Sequence, residues 1–461
     1  MVAPSPELQR KIDNSKKLRK EGKDLDIHSR IFPEHYITPD ALDIFNQIRP
    51  WEFKTVVKQK KYKNKNRTLQ QEEIFYVPTI PNPKVLVLCV EFSDEPSTLP
   101  LSSINERFNP TSETLNINKY FNDISLGKHN PSFEVHGWYT MPKTKAYYAN
   151  EKSGIDYNGI TELTTDVIKE ATKDTSINFC IFDNDKDNTI DYIAIIASGK
   201  SAETTGDLND LWSVAYGKEI TTGKYCEGYN ITTNMFMRSS EYSLNYNCTG
   251  VYCHEYAHII GADDMYDYSG TTIGAGYWSL MSNGNYLNAG NTPCNIDAYN
   301  REKIGWATIG LNLTGYNSIK NSLISDVIYK YTTPSPDEWF LIENRHQTGW
   351  DSYIPGNGIL IWHVTKRCKL YPLSSYNAYL VQADGKNDLG SNKINNGDSG
   401  DPYPGSTNNT LFSQISNPNN LLCGSTTIYL NYDIINISDS SENMIFYTTT
   451  CTPTSDFTIE E

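Results

Sequence analysis

Apolar positions fall into two textures along the chain, and the change between them organises the reading. Up to about residue 310, short continuous runs alternate with helical spacing. Residues 84–92 (KVLVLCVEF) form an unbroken apolar run of strand length, as expected for a strand covered on both faces. Residues 115–126 carry helical spacing, and SFEVHGWYTM at 132–141 alternates as a strand does. Residues 158–173 read as an amphipathic helix through Ile160, Leu163, Val167 and Ile168. Residues 177–182 and 192–197 are two further candidates for buried strands. The order β-α-β-α-β, a loop and β, then a helix, predicts an α/β layer. Beyond residue 310 helical periodicity fades. Short strands at 339–343, 358–364 and 378–382 are separated by turn clusters such as IPGNG and NNGDSGDPYPGSTNN, which predicts a β-rich unit.

Residues 1–80 differ from both textures. Pro6 to about Asp26 suits a polar helix, and residues 34–53 hold enough aromatic and apolar positions for a small docked segment. Basic stretches at 10–20 and 54–67 read as a solvated helix face and a linker.

Composition narrows the function classes. With 461 residues, 38% of them hydrophobic, the chain can bury a large core divided into two or three units. A net charge of -15 repels phosphate backbones and argues against a nucleic-acid partner. No apolar run reaches the roughly 18 residues of a transmembrane helix, so no transmembrane segment is expected. The first residues lack an apolar signal region, which leaves a cytosolic protein or one whose signal peptide has been removed. The nine cysteines include no CxxC pair, so a thiolate zinc cage is not indicated, and Cys253 is expected as a packed thiol.

The chemistry concentrates at 254–264, His-Glu-Tyr-Ala-His-Ile-Ile-Gly-Ala-Asp-Asp. On a helix, His254 and His258 share one face and can grip one zinc ion. Glu255 lies beside them as a general base for water. Gly261 lets the chain leave the helix and turn. An acidic residue can then return as third ligand, leaving a fourth position for water or substrate. Asp263, Asp264 and Asp267 are the candidates, and register favours Asp264.

A second signature lies at 183–191, where oxygens recur at Asp183, Asp185, Asp187, Thr189 and Asp191. This is the ligand spacing of an EF-type calcium loop, with Asn188 at the usual glycine position and no bidentate glutamate at the twelfth. Crowded carboxylates repel one another unless a cation sits among them, so a Ca2+ site on another scaffold is expected. The acidic turn at Asp384, Asp388, Asp398 and Asp401 is as well explained by a solvated loop.

With these motifs, the chain resembles the immune inhibitor A family of secreted zinc metallopeptidases, within the metzincin group. The matching segments include KVLVLCVEFSD at 84–94, FDNDKDNTIDYIAIIASG at 182–199, HEYAHIIGADDMYD at 254–267, GYWSLMSNGNY at 276–286 and GDSGDPYPGS at 397–406. The resemblance implies an α+β fold: a metzincin-like catalytic domain with a twisted mixed sheet and active-site helix, plus the β-rich C-terminal unit. With the changes of texture near residues 80 and 310, the chain is expected to divide into a leader or prosegment-like region (1–80), a catalytic domain (81–312) and a C-terminal domain (313–461). The resemblance implies catalytic zinc on His254, His258 and Asp264, structural calcium, and Met281 in a methionine turn beneath the metal. Protein or peptide substrates and a secreted or surface location follow from it; oligomeric state does not. Family precursors are latent, so residues 1–80 could block the cleft, with Asp40 or Asp43 offering a carboxylate to zinc. One of Tyr266, Tyr277 and Tyr286 could serve the oxyanion. The second reading is a calcium-stabilised surface-binding or adhesin-like protein with an inactive peptidase-like domain.

Overall fold

The computed structural model describes residues 2–20, 80–109, 116–243, 245–268, 271–310, 314–365, 378–390, 394–423, 425 and 428–450. The expected docked segment at 34–53, with Asp40 and Asp43, and the basic stretch at 54–67 lie outside these residues.

The chain opens with α1 (Pro6–Lys20), where Ser5 caps the helix by accepting the Leu8 N–H at 3.2 Å and Pro6 fills the first helical position. Next come β1 (Lys84–Glu91), α2 (Leu101–Phe108), α3 (Ile117–Ile124), β2 (Ser132–Thr140), α4 (Leu163–Ala171) and β3 (Thr189–Lys200). Strands β4 (Val214–Gly217), β5 (Thr221–Cys226) and β6 (Tyr229–Tyr242) lead into α5 (Cys248–Ile259). The first sheet runs β2-β1-β3-β6-β4, with β5 also paired to β6. Its β2, β1, β3 and β6 are parallel, whereas β4 and β5 run antiparallel to β6.

The unbroken apolar run of β1 has a direct cause. Val85, Val87 and Cys89 face a core shared with Ile104 and Phe108 of α2, Tyr120 and Phe121 of α3, and Tyr252 and Tyr256 of α5. Leu86, Leu88 and Val90 face the opposite core, with Leu163, Val167 and Ile168 of α4. Both faces are thus covered by helices, and each fully buried aliphatic side chain contributes about 1.5–3 kcal/mol. A charge at Leu88, fully buried, would break the second of these cores.

Two expectations change. Residues 177–182 do not form a strand: Phe179–Phe182 is a 3-10 turn. The Asn178 side chain accepts from the Cys180 N–H at 3.2 Å, and a Cys180–Cys226 disulfide ties this turn to β5. Helix α4 is also shorter than expected, because residues 158–162 form a wider π turn.

After α6 (Ala298–Lys303), β7 (Thr308–Gly310), β8 (Gly315–Lys320), β9 (Val327–Thr332), β10 (Glu338–Arg345), β11 (Gly358–Thr365), β12 (Ala378–Val381), β13 (Tyr432–Ile435) and β14 (Asn443–Thr450) build two sheets. Their orders are β12-β11-β10-β9-β7 and β13-β14-β8. The period-2 rule again sorts the side chains: Leu341, Leu360 and Trp362 join the core beneath α5, while Phe340, Ile342, Ile359 and Ile361 pack in a core of their own with Met444 and Phe446 of β14. The chain is therefore a mixed α/β protein with helices on both faces of its first sheet. Among the described residues, no helix is long and apolar enough to cross a membrane.

Candidate metal centre

Every residue of α5 is buried, so the helix is held on all sides and not by one amphipathic stripe. Asn247 caps its start, accepting the Thr249 N–H at 2.8 Å. Gly250 lies where a Cβ would stand 1.9 Å from the Asn285 carbonyl oxygen, so only glycine lets the helix approach the 283–290 turn so closely. Two residues beyond the helix end at Ile259, Gly261 has a φ of 109°, which suits the turn expected there. The Gly261 N–H donates to the His258 carbonyl at 2.9 Å.

That turn brings Asp264 back over the helix. Its Oδ1 lies 3.1 Å from His254 Nε2 and 3.0 Å from His258 Nε2. All three side chains are buried, and their ligand atoms lie within 4.8 Å of one another. The other two acidic candidates point elsewhere. Asp263 pairs with Lys303 at 2.5 Å and accepts from Tyr299 Oη at 3.0 Å. Asp267 accepts from the Thr271 and Thr272 N–H groups, both at 3.1 Å.

The ring tautomers follow from the hydrogen bonds. His254 Nδ1 is 2.9 Å from the Leu280 carbonyl, and His258 Nδ1 is 2.9 Å from the Ala262 carbonyl. A carbonyl only accepts, so both Nδ1 atoms carry the proton and both neutral rings present a lone pair at Nε2. Burial lowers the His258 pKa, with Asp264 acting against it. For Asp264, burial alone would raise the pKa; when the histidines are protonated, the His258 charge and hydrogen bonds from both rings hold it well below the usual carboxylate range. Two nitrogen lone pairs and an ionised oxygen converging at about 3 Å repel unless a cation or proton lies among them. This donor set fits zinc, which takes neutral imidazole and carboxylate ligands.

The surroundings brace these atoms. The backbone N–H of Met265 donates to the Met281 carbonyl at 2.7 Å, and Ser279 Oγ accepts the Met281 N–H at 3.0 Å. The fully buried Met281 thus belongs to the same turn that holds His254 through Leu280. Tyr268 Oη donates to Asp264 Oδ2, leaving Oδ1 to face the histidines. Sequence reasoning missed Tyr268, because a loop residue four positions beyond a ligand has no periodicity to mark it.

Glu255 is fully buried beside His254. Its charge reaches Glu203, which burial and then Glu255 push up to about 7, and Tyr286, which burial foremost and both carboxylates raise. Of the three tyrosines, the Tyr266 ring lies 6.4 Å from that of His254, and the Tyr277 side chain hydrogen-bonds to Asn396. Tyr286 Oη donates to the backbone carbonyl of Ala3 at 2.7 Å.

Elsewhere, His129, His136 and His363 stay apart from this centre. His129 pairs with the Ile80 carbonyl and Tyr256 Oη, His136 with Glu134, and His363 with Glu338 and Tyr379. In the 183–191 loop, the structure brings together Asp183, Asp185 and Asp187. Asp191 instead accepts from the Asn184 N–H at 2.8 Å, and Thr189 Oγ1 lies 3.5 Å from Thr232 Oγ1. Asn188 adopts the left-handed conformation expected at its position, with φ 70°.

A helix carrying two histidines, a buried glutamate and a returning aspartate defines a centre of the metallopeptidase type. Residues 101–309 match the family model described as the immune inhibitor A peptidase M6 catalytic domain, so the resemblance read from the motifs is borne out. The matched stretch contains α5, Asp264 and Met281. Among curated proteins, the chain is similar to the pre-pro-metalloprotease PrtV of Vibrio cholerae serotype O1, in strains M66-2 and ATCC 39315 / El Tor Inaba N16961. Identity to each is 25% over 199 residues, covering 37% of this chain. The chain spans about a fifth (21%) of the length of these relatives.

Proposed function

We propose that this chain is a secreted zinc-dependent endopeptidase that hydrolyses peptide bonds of protein substrates. The observation that carries the reading is the convergence of His254 Nε2, His258 Nε2 and Asp264 Oδ1, with both Nδ1 atoms tied to backbone carbonyls. These three residues would hold the zinc, whose chemistry is Lewis acidity and a lowering of the pKa of water toward about 7. Glu255 takes the proton of the attacking water and returns it to the leaving amine. Its burial in the protein core strengthens its field at the reacting atoms. Met281 packs the ligands from below without binding metal. The domain division at 80 and 312 and the metzincin-like architecture belong to the same proposal, as does a structural calcium at Asp183, Asp185 and Asp187 with Thr189 and Asp191 nearby.

Glu255→Ala tests the reading. Casein hydrolysis should vanish while bound zinc persists. Proteolysis continuing at the original rate would show that Glu255 is not the base.

A further inference from the structure

The strip Trp278–Met281 touches two of the segments that carry metal ligands. The Leu280 carbonyl meets His254 Nδ1 at 2.9 Å, and the Met281 carbonyl accepts the N–H of Met265, next to Asp264, at 2.7 Å. The strip is itself gripped by residues beyond 310. Arg345, the last residue of β10, donates from Nη1 to the Trp278 carbonyl at 2.9 Å. Its Nη2 donates to the Asn295 carbonyl at 3.4 Å, and the same oxygen accepts the Leu280 N–H at 3.4 Å. At the side-chain end of Trp278, the indole N–H donates to Asp401 Oδ2 at 2.9 Å. Arg345, Asp351 and Asp401 all lie outside the stretch 101–309 that matches the peptidase family.

Arg345 is in turn fixed by Asp351. Its Nε donates to Asp351 Oδ2 at 2.7 Å and its Nη2 to Oδ1 at 2.6 Å, a bidentate pair. Asp351 Oδ1 also accepts the Asn295 N–H at 2.8 Å. Glu343 lies 3.6 Å from Arg345 Nη1 and pairs with Arg301 at 2.9 Å, so the four charges cancel. The side chains of Arg345 and Asp351 are fully buried. Such a pair is costly to desolvate, and apolar residues of similar volume often serve stability as well or better. What apolar residues do not supply is direction. A guanidinium is a rigid planar fork of donors, and here the fork spans two carbonyls that bracket Leu280.

We propose that Arg345, oriented by Asp351, is a positioning residue for the metal centre: by fixing the Trp278 and Asn295 carbonyls it sets the Leu280 carbonyl, and with it the ring orientation of His254. The β-rich unit thereby completes a centre whose ligands all precede residue 310. The role rests on the zinc reading above. Groups that orient a ligand from outside the ligand set typically change metal affinity by about ten- to a hundredfold, and that is the range expected here.

The test compares variants of the full chain by zinc affinity and by the visible bands of bound Co2+, which report ligand geometry and not stability. Arg345→Lys keeps the charge and loses the fork. Arg345→Met with Asp351→Asn removes both charges, leaves an acceptor for the Asn295 N–H, and guards against misfolding caused by an unpaired buried charge. Both should weaken zinc binding at least tenfold and displace the Co2+ bands. Leu88→Ala, in the opposite core, should lower Tm while leaving affinity and bands as they are. Zinc affinity within threefold of the unsubstituted chain and unmoved bands in a folded Arg345 variant overturn the proposal, and so does an equal loss in Leu88→Ala. Casein cleavage is measured separately on the unsubstituted chain. Zinc binding weakened as expected, without metal-dependent cleavage, overturns the peptidase reading alone. Metal-dependent cleavage with affinity and bands indifferent to the Arg345 variants overturns the positioning role alone.

Discussion

Among the described residues up to 310, the two groupings of metal-ligand type are built in opposite ways. In the His254, His258 and Asp264 centre, each ligand is oriented by a partner outside the set: Leu280, Ala262 and Tyr268. The ligand atoms left over point at one another. In the 183–191 loop, Asp183 already accepts the Asp187 N–H at 3.0 Å and the Asn188 N–H at 3.1 Å, while Asp185 and Asp187 are exposed. The loop folds around its own carboxylates, whereas the buried centre folds around a point in space. Preorganisation by an outer shell is what a catalytic metal needs, and a self-satisfied surface loop suits at most a structural ion.

Removing a ligand should separate the two most sharply. Asp264→Asn keeps the shape and loses the charge; we expect zinc affinity to fall by about a hundredfold or more, with loss of hydrolysis. Retained stoichiometric zinc, measured by mass spectrometry of the metal, would show that the buried centre does not depend on the Asp264 charge. Next in size is the acid sensitivity of the scaffold behind α5. His129, held between Ile80 and Tyr256, is depressed by burial from 6.5 to about 4. Below pH 6.5 the unfolded chain takes up this proton before the folded one does. The contribution is therefore complete above pH 6.5 and is lost as pH falls to about 4, by an amount of order 3 kcal/mol. Urea unfolding at pH 7 and pH 4.5 should reveal the loss, and His129→Gln should flatten it.

Smaller still is the effect of Asp185→Asn with Asp187→Asn. Loss of a structural ion there should lower Tm in calcium by a few degrees, at about 2–4 °C per kcal/mol, without altering zinc content. A change in zinc content would join two regions described as independent. The smallest effect belongs to Met281→Leu. Volume is conserved, so stability should drop by less than about 1.5 kcal/mol by thermal unfolding.

The helix ligands were legible in the sequence because their spacing matches the helical repeat, and Asp264 because a glycine marks the turn before it. The carbonyls of Leu280 and Ala262 were not, since every residue has one and only the fold chooses among them. Strand β1 was legible through its unbroken apolar run. Strand β6 was not, because it buries Arg238 and Glu241, whose charges mask the pattern. The two terminal nitrogens of Arg238 instead donate to the carbonyls of Gly154, Gly159 and Trp212. Residues 177–182 looked like a strand for the complementary reason: apolarity alone does not reveal that Asn178 and a disulfide bend the chain. The grip of Arg345 on Trp278 and Asn295 spans 67 and 50 positions, which no local pattern carries.

The most direct test of the account is anomalous diffraction from crystals of the zinc-loaded protein, collected at the zinc absorption edge. The account predicts one strong peak in the buried centre, about 2.0–2.2 Å from His254 Nε2, His258 Nε2 and an Asp264 carboxylate oxygen. A map with no peak there, or with zinc bound elsewhere and these three side chains apart, would contradict it.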